Sequence, residues 1–389
     1  MGTSNRKNLA ILTLALVVVM LGYGMVIPLF PFYIEEMGAG GRHLGLLIST
    51  SALLELLFGP IWGSISDRSG RKPILLVGLL GYSLSSLLFG LSTQLWMLFA
   101  SRSLSGVLSS ATSATALAYI SDSTPERDRG GGMGMLGAAM GLGLILGPAV
   151  GGWLGSSSLS LPFFIAAGLS LVALVLAALW LPESLPVEAR QRESKVKTIN
   201  VNELWRASFG SVGLLLFMLF LVSFALTNFE SIFGLYAAQK LGYGPERVGS
   251  ILAVVGLVST LGKVILIGPL TRHCGEAPII KVSLAASAVG FVILLLAVTY
   301  PAVLLATGVF ILSKTLLRTV IISLTSKRAT AGQGTTMGLS NSFMNLGRIV
   351  GPLWAGFVFD VNANYPYLSG AAIMFIGFLI SLVCISQDK

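Results

Sequence analysis

Again and again this chain presents about 20 consecutive apolar residues, and a run of that length fits one structure, a helix that crosses a lipid bilayer. Windows that satisfy the length fall at 9–30, 44–65, 73–92, 95–120, 131–154, 161–181, 211–239, 247–270, 278–299, 302–324, 334–359 and 366–386. Strands of a membrane barrel would alternate apolar and polar residues over about ten positions. Runs such as Leu9 to Met20 are apolar all round, so helices are expected. Charged residues make up 11% of the chain and hydrophobic ones 54%. A soluble globular protein carries about 25% charged residues, so lipid must be the solvent for most of this one. The expected fold class is therefore an all-α membrane protein with twelve transmembrane helices. Arg6 and Lys7 before the first apolar run imitate a signal peptide, but the run is longer than an h-region and no small-x-small site follows. It is read as a retained first span.

The net charge of +9 is a topology signal rather than a nucleic-acid footprint. Lys and Arg collect at Arg6, Lys7, the 68–72 segment, Arg127, Arg129, 190–206, Arg272, Lys281, Lys327, Arg328 and Lys389, while Arg42, Lys240 and Arg247 lie on the other side. That bias sets both termini in the cytoplasm, and the cytoplasmic membrane is the expected location. Cys274 and Cys384, His43 and His273 are too few and too scattered for a disulfide framework or a metal site. No phosphate-binding loop is present, and no cofactor or catalytic pair is expected, so an enzyme is not.

The chain is written twice. GSISDRSGRKPIL from Gly63 lies over GPLTRHCGEAPII from Gly268, and Gly147-Pro148-x-x-Gly151-Gly152 lies over Gly351-Pro352-x-x-Ala355-Gly356. The one long polar stretch divides six spans from six, giving expected domains at 1–182 and 209–389 with a cytoplasmic linker at 183–208. Parallel repeats of this kind build secondary transporters, with the site near the repeat interface. The segment Gly63, Asp67, Arg68, Gly70, Arg71, Lys72 reads as a tight charged loop, a latch that breaks and re-forms between states. In the second copy Arg272, His273, Glu276 and Ala277 replace Asp67, Arg68, Arg71 and Lys72, while Pro278 and the glycines persist.

These motifs resemble the major facilitator superfamily, in its twelve-helix drug:proton antiporter branch of NorA- and Bmr-type multidrug exporters. Segment 63–72 is similar to the superfamily's signature after helix 2. Gly143, Gly147, Pro148, Gly151 and Gly152 resemble the antiporter signature, and Arg102 followed by Gly106 resembles a third motif. The resemblance implies two six-helix bundles working by alternating access and a key acidic residue at Glu230. It also implies an acidic residue in helix 1 and a second carboxylate three places before Arg318. This chain has neither: Gly22 to Pro28 is uncharged, and Thr315 stands beside Lys314.

Seven ionisable residues fall inside predicted spans: Glu55, Arg102, Glu230, Lys263, Lys314, Arg318 and Arg348. Each costs about 2.5–3.5 kcal/mol at a helix centre, so they are expected to face a cavity or one another. Ser223, Thr227 and Glu230 share one helical face, as do Asn341, Asn345 and Arg348, and nearly so Arg102, Ser105 and Ser109. Glu230 is the expected proton carrier, Glu55 the second candidate and Arg102 a relay. The alternative for Glu230 is a fixed salt bridge with a neighbouring cation. Phe229, Phe233 and Tyr236 are expected to wall a substrate cavity with Lys314, Arg318, Asn341, Asn345 and Arg348.

The functional expectation is a monomeric, proton-coupled antiporter that exports drugs or other small amphipathic molecules. Five interior cations against two carboxylates also leave open an anionic or zwitterionic substrate, and a proton-coupled importer is the further alternative.

Overall fold

The computed structural model describes residues 3–123, 129–190, 212–328 and 333–384, and every regular element among them is helical. The first half contributes α1 (Thr3–Val26), α2 (Phe30–Glu36), α3 (Gly41–Ser69), α4 (Arg71–Gly90), α5 (Leu95–Leu108), α6 (Ser110–Ser123), α7 (Arg129–Gly155) and α8 (Leu161–Trp180). The second contributes α9 (Gly213–Leu241), α10 (Pro245–Leu261), α11 (Ile267–Cys274), α12 (Glu276–Leu296), α13 (Tyr300–Lys327), α14 (Gln333–Val361) and α15 (Tyr365–Cys384). A π-helical turn, Gly262–Leu266, joins α10 to α11.

Among the described residues, nine spans are long and apolar enough to cross a membrane. The remaining windows are also helical, as α5 with α6, α7, and α14. Pro60, Pro148 and Pro352 lie inside helices, as spanning helices allow when neighbouring groups re-satisfy the freed carbonyls. Of the expected linker, Val187–Ala189 forms a single 3₁₀ turn, and residues 191–208 lie outside the described ones.

Two compact units emerge, one of Met1–Gly38, Thr50–Thr198 and Tyr243–Ala253, the other of Ala39–Ser49, Ile199–Gly242 and Val254–Lys389. Each repeats one packing order. In the first, α1 lies against α7 and α8, and α4 against α8, α5 and α6. In the second, α9 lies against α14 and α15, and α12 against α15 and α13. The internal repeat seen in the sequence is thus a repeat of helix neighbours.

Aromatic side chains fill the centre of each unit. Phe30, Tyr33, Phe89 and Phe163 meet in the first, with Phe89 stacked on Phe163 at 4.4 Å. Phe229, Phe291, Phe310 and Tyr367 meet in the second. Such pairs add roughly 0.5–1.5 kcal/mol beyond burial.

Candidate transport site

The segment 63–72 is not the loop its composition suggests. Residues 63–69 continue α3, and the chain turns at Gly70 alone before α4 begins. Gly70 has φ 102°, a region that favours glycine. A Cβ there would also strike the Glu183 carboxylate, with Cδ 2.9 Å away.

Arg71, the first residue of α4, is buried. Its Nε donates to Asp122 Oδ2 at 2.9 Å and its Nη1 to Ser66 Oγ at 2.7 Å, and it pairs with Asp67 one turn back. Glu183 accepts from Arg71 N at 2.8 Å and Lys72 N at 3.2 Å, satisfying amides that have no partner within their own helix. The same carboxylate accepts from Ser184 N and Leu185 N, and Lys72 Nζ donates to Ala178 O at 2.7 Å. The junction is therefore held by α6 and by the end of α8. Arg68 is exposed, and Gly63 is a mid-helix residue with open space beside it.

The second half has the same device with its signs reversed. Gly275, φ 75°, separates α11 from α12. Glu276 then opens α12, pairs with Lys327 Nζ at 2.8 Å and accepts from Ser323 Oγ at 2.9 Å. Arg71 and Asp122 are separated by 51 residues, as are Glu276 and Lys327.

The motif glycines of α7 bring helices into backbone contact. A Cβ on Gly147 would lie 2.6 Å from Gly24 Cα, one on Gly143 would lie 2.5 Å from the Met20 carbonyl carbon, and Gly151 faces the Met25 carbonyl. Gly152, beyond Pro148, faces α10 instead, 2.9 Å from Gly249 Cα by the same measure. The second copy behaves alike. Gly351 packs on Phe224 O of α9, and Gly356 on Gly41 and Gly45 of α3. Asp360 then accepts from Gly41 N at 2.7 Å and Arg42 N at 3.1 Å, closing the start of α3.

Within the first unit, Arg102 donates to Ser51 Oγ at 2.7 Å, lies 4.7 Å from the Phe30 ring centre and is within electrostatic reach of Glu55. Phe30, Tyr82, Ser86, Arg102, Ser105 and Phe163 line a narrow recess of about 10 Å³, room for about one water. Glu55 is half-buried.

Within the second unit, Glu230 is exposed although Phe229 and Ser231 beside it are buried. Lys314 and Arg318 of α13 and Arg348 of α14 are all within its electrostatic reach, and Lys263 of the π turn is within reach of Arg318. Asn341 is exposed, and Asn345 and Arg348 are half-buried. Lys314 is only 3% exposed; its Nζ, 5.1 Å from the Phe310 ring centre, has no hydrogen-bond partner among the described residues.

Two expectations shift here. Ser223 donates to Met344 O and Thr227 to Gly347 O, so these hydroxyls join α9 to α14 rather than line a wet stripe. Phe229 and Phe233, each 1% exposed, and Tyr236, 4.6 Å from the Tyr367 ring, pack into the unit's aromatic centre and not along the open face of Glu230. Asp122 and Glu183 were missed by the sequence reading, and nothing near 63–72 signals them. No cluster of three or more metal-binding side chains exists among the described residues.

A helical membrane protein built as two repeats, each holding ionisable groups in mid-helix, has the architecture of a secondary transporter. It spans the membrane many times and is organised to bind small molecules. The chain belongs to the Major Facilitator Superfamily, whose sequence profile matches residues 12–331 and 215–389. It is 32% identical over 383 residues to multidrug resistance protein 2 of Bacillus subtilis, covering 98% of this chain and 96% of that one. It is 27% identical to the quinolone resistance protein NorA of Staphylococcus aureus, covering 97% and 96%. In three dimensions it is similar to a variant of the nucleoside transporter NupG, with a TM-score of 0.84 at 13% identity over 97% of this chain and 100% of that one. That likeness is one of fold.

Proposed function

We propose that this protein is a proton-coupled exporter of drugs or other small amphipathic molecules, acting in the cytoplasmic membrane as a monomer with both termini inside. Residues 1–182 and 209–389 rock against each other, and no chemical conversion of the substrate takes place. One observation carries the reading: Glu230 is a carboxylate in the middle of a long apolar helix, yet it is open and held among cations. A group so placed exchanges a proton as the surrounding space opens to each side, and each protonation state is favoured by a different balance of the neighbouring charges.

Other features support the same reading. Drug resistance is the role named for the relatives. Glu55 and Arg102 of the first unit are a second charged pair suited to relaying a proton. Asp67 and Arg71 of the expected latch, joined by Asp122, supply ion pairs that open and close during the cycle.

The test uses inside-out vesicles with an acidic lumen. Wild-type protein accumulates a fluorescent substrate, and a protonophore abolishes the accumulation. Glu230→Gln keeps wild-type levels in the membrane and loses accumulation. Undiminished gradient-driven uptake by that variant would remove Glu230 from the coupling role and transfer it to Glu55.

A further inference from the structure

Five charged side chains from four helical segments interact inside the second unit, and four of them are positive. Lys314 and Arg318 stand one turn apart on α13, Arg348 comes from α14, Lys263 from the π turn, and Glu230 from α9. Glu230 is the one carboxylate among these interacting groups. Even with Arg348 set aside, Lys263, Lys314 and Arg318 outnumber that one carboxylate, so the surplus field is positive and draws anions.

Lys314 makes the argument specific. Its ammonium has three donors, is buried, and meets no acceptor among the described residues. A buried donor left unmet is costly unless an acceptor arrives from elsewhere. Arg318, a turn away and exposed, adds a planar fork suited to paired oxygens. Beside them Thr315 donates to Ser259 at 3.2 Å, and neither hydroxyl accepts from Lys314. The π turn, a distortion frequent at functional sites, carries Lys263 toward Arg318.

We infer that this cluster is an oxyanion-binding site, and that the substrate is a small amphipathic anion or zwitterion whose carboxylate, sulfonate or phosphoryl group rests on Lys314 and Arg318. The inference deepens the exporter reading by naming the substrate's chemistry. It sets this transporter apart from one built for lipophilic cations, which a net positive cluster repels.

The test is equilibrium binding to the purified full chain in phosphatidylcholine nanodiscs, without a gradient. The probes are the anion 5-carboxyfluorescein and the cation rhodamine 6G. Carboxyfluorescein is expected to bind at least about tenfold more tightly than rhodamine 6G. Lys314→Gln and Arg318→Gln should each weaken the anion about tenfold, as loss of a charge-assisted hydrogen bond does, and leave the cation unchanged or improved. Lys314→Gln should melt no lower than wild type, because it removes a buried charge without an acceptor.

Preference of the wild type for rhodamine 6G, or unaltered anion binding in both variants at wild-type melting temperature, would overturn the assignment. Displacement of the dye in phosphatidylglycerol nanodiscs would give the site to a lipid headgroup and equally overturn it. Anion binding without gradient-driven movement leaves this inference standing and defeats the exporter reading instead.

Discussion

Glu183→Ala isolates what holds the third span to the rest of its unit. The amides of Arg71 and Lys72 open α4, where no earlier carbonyl of the helix can reach them. Their protection from solvent exchange therefore depends on the Glu183 carboxylate at 2.8 and 3.2 Å. A hydrogen bond to a charged partner contributes about 1.5–3 kcal/mol, and the negative charge at a helix start adds about 0.3–1 kcal/mol. Glu183 is half-exposed, so water replaces part of what is lost. The expected net loss at the junction is about 3 kcal/mol, or about 100-fold faster exchange at those two amides. Hydrogen–deuterium exchange on peptides beginning near Gly70, in nanodiscs, reads this directly. Glu183→Gln keeps one uncharged carbonyl oxygen and should show about a tenfold effect. If the Arg71 and Lys72 amides stay protected in Glu183→Ala, the carboxylate is not their partner and the account of the junction is refuted.

Gly70→Ala should destabilise the protein by about 1–3 kcal/mol, since φ 102° strains any side chain there and its Cβ meets the carboxylate; an unchanged melting temperature would contradict this. Asp122→Asn should cost about 1.5–3 kcal/mol, because it removes one of the two carboxylates paired with the largely buried Arg71 guanidinium and leaves Asp67, whereas Lys327→Met in the mirrored pair should cost less than about 1 kcal/mol, its side chain being 66% exposed. Thermal melts of the two variants side by side decide whether the repeats are equally weighted. Gly249→Val places a methyl against Gly152 Cα, 2.8 Å away at Cβ, and against the Pro148 carbonyl. Overpacking of about 1–3 kcal/mol should suppress transport in vesicles while membrane levels hold; wild-type transport would show that the α7–α10 approach carries no weight in the cycle.

The helical character of the spans and the repeat are plain in the sequence because lipid imposes length and apolarity on each helix independently of its neighbours, whereas nothing in it assigns 39–49 to the second compact unit or 243–253 to the first. Burial of specific faces is not. Helix α9 is apolar nearly all round, so no periodicity separates the face carrying Glu230 from the one that buries Phe229 and Phe233. Residues 63–69 look like a loop because they are polar, but a helix that leaves the membrane needs no apolar face, and only the backbone of Gly70 marks the turn. Asp122 and Glu183 lie 51 and 112 residues from Arg71. Nothing local distinguishes them from other acids at the ends of spans.

Glu183 also bears on how the two halves of such a chain are best separated for study. Hydropathy alone invites a cut after residue 182, where the sixth apolar run ends. That cut severs the acid from the amides it serves and leaves the amino-terminal fragment with an unbraced third helix. A break beyond Arg190 keeps the brace on the fragment that uses it, so complementation by split halves should succeed or fail on a margin of eight residues.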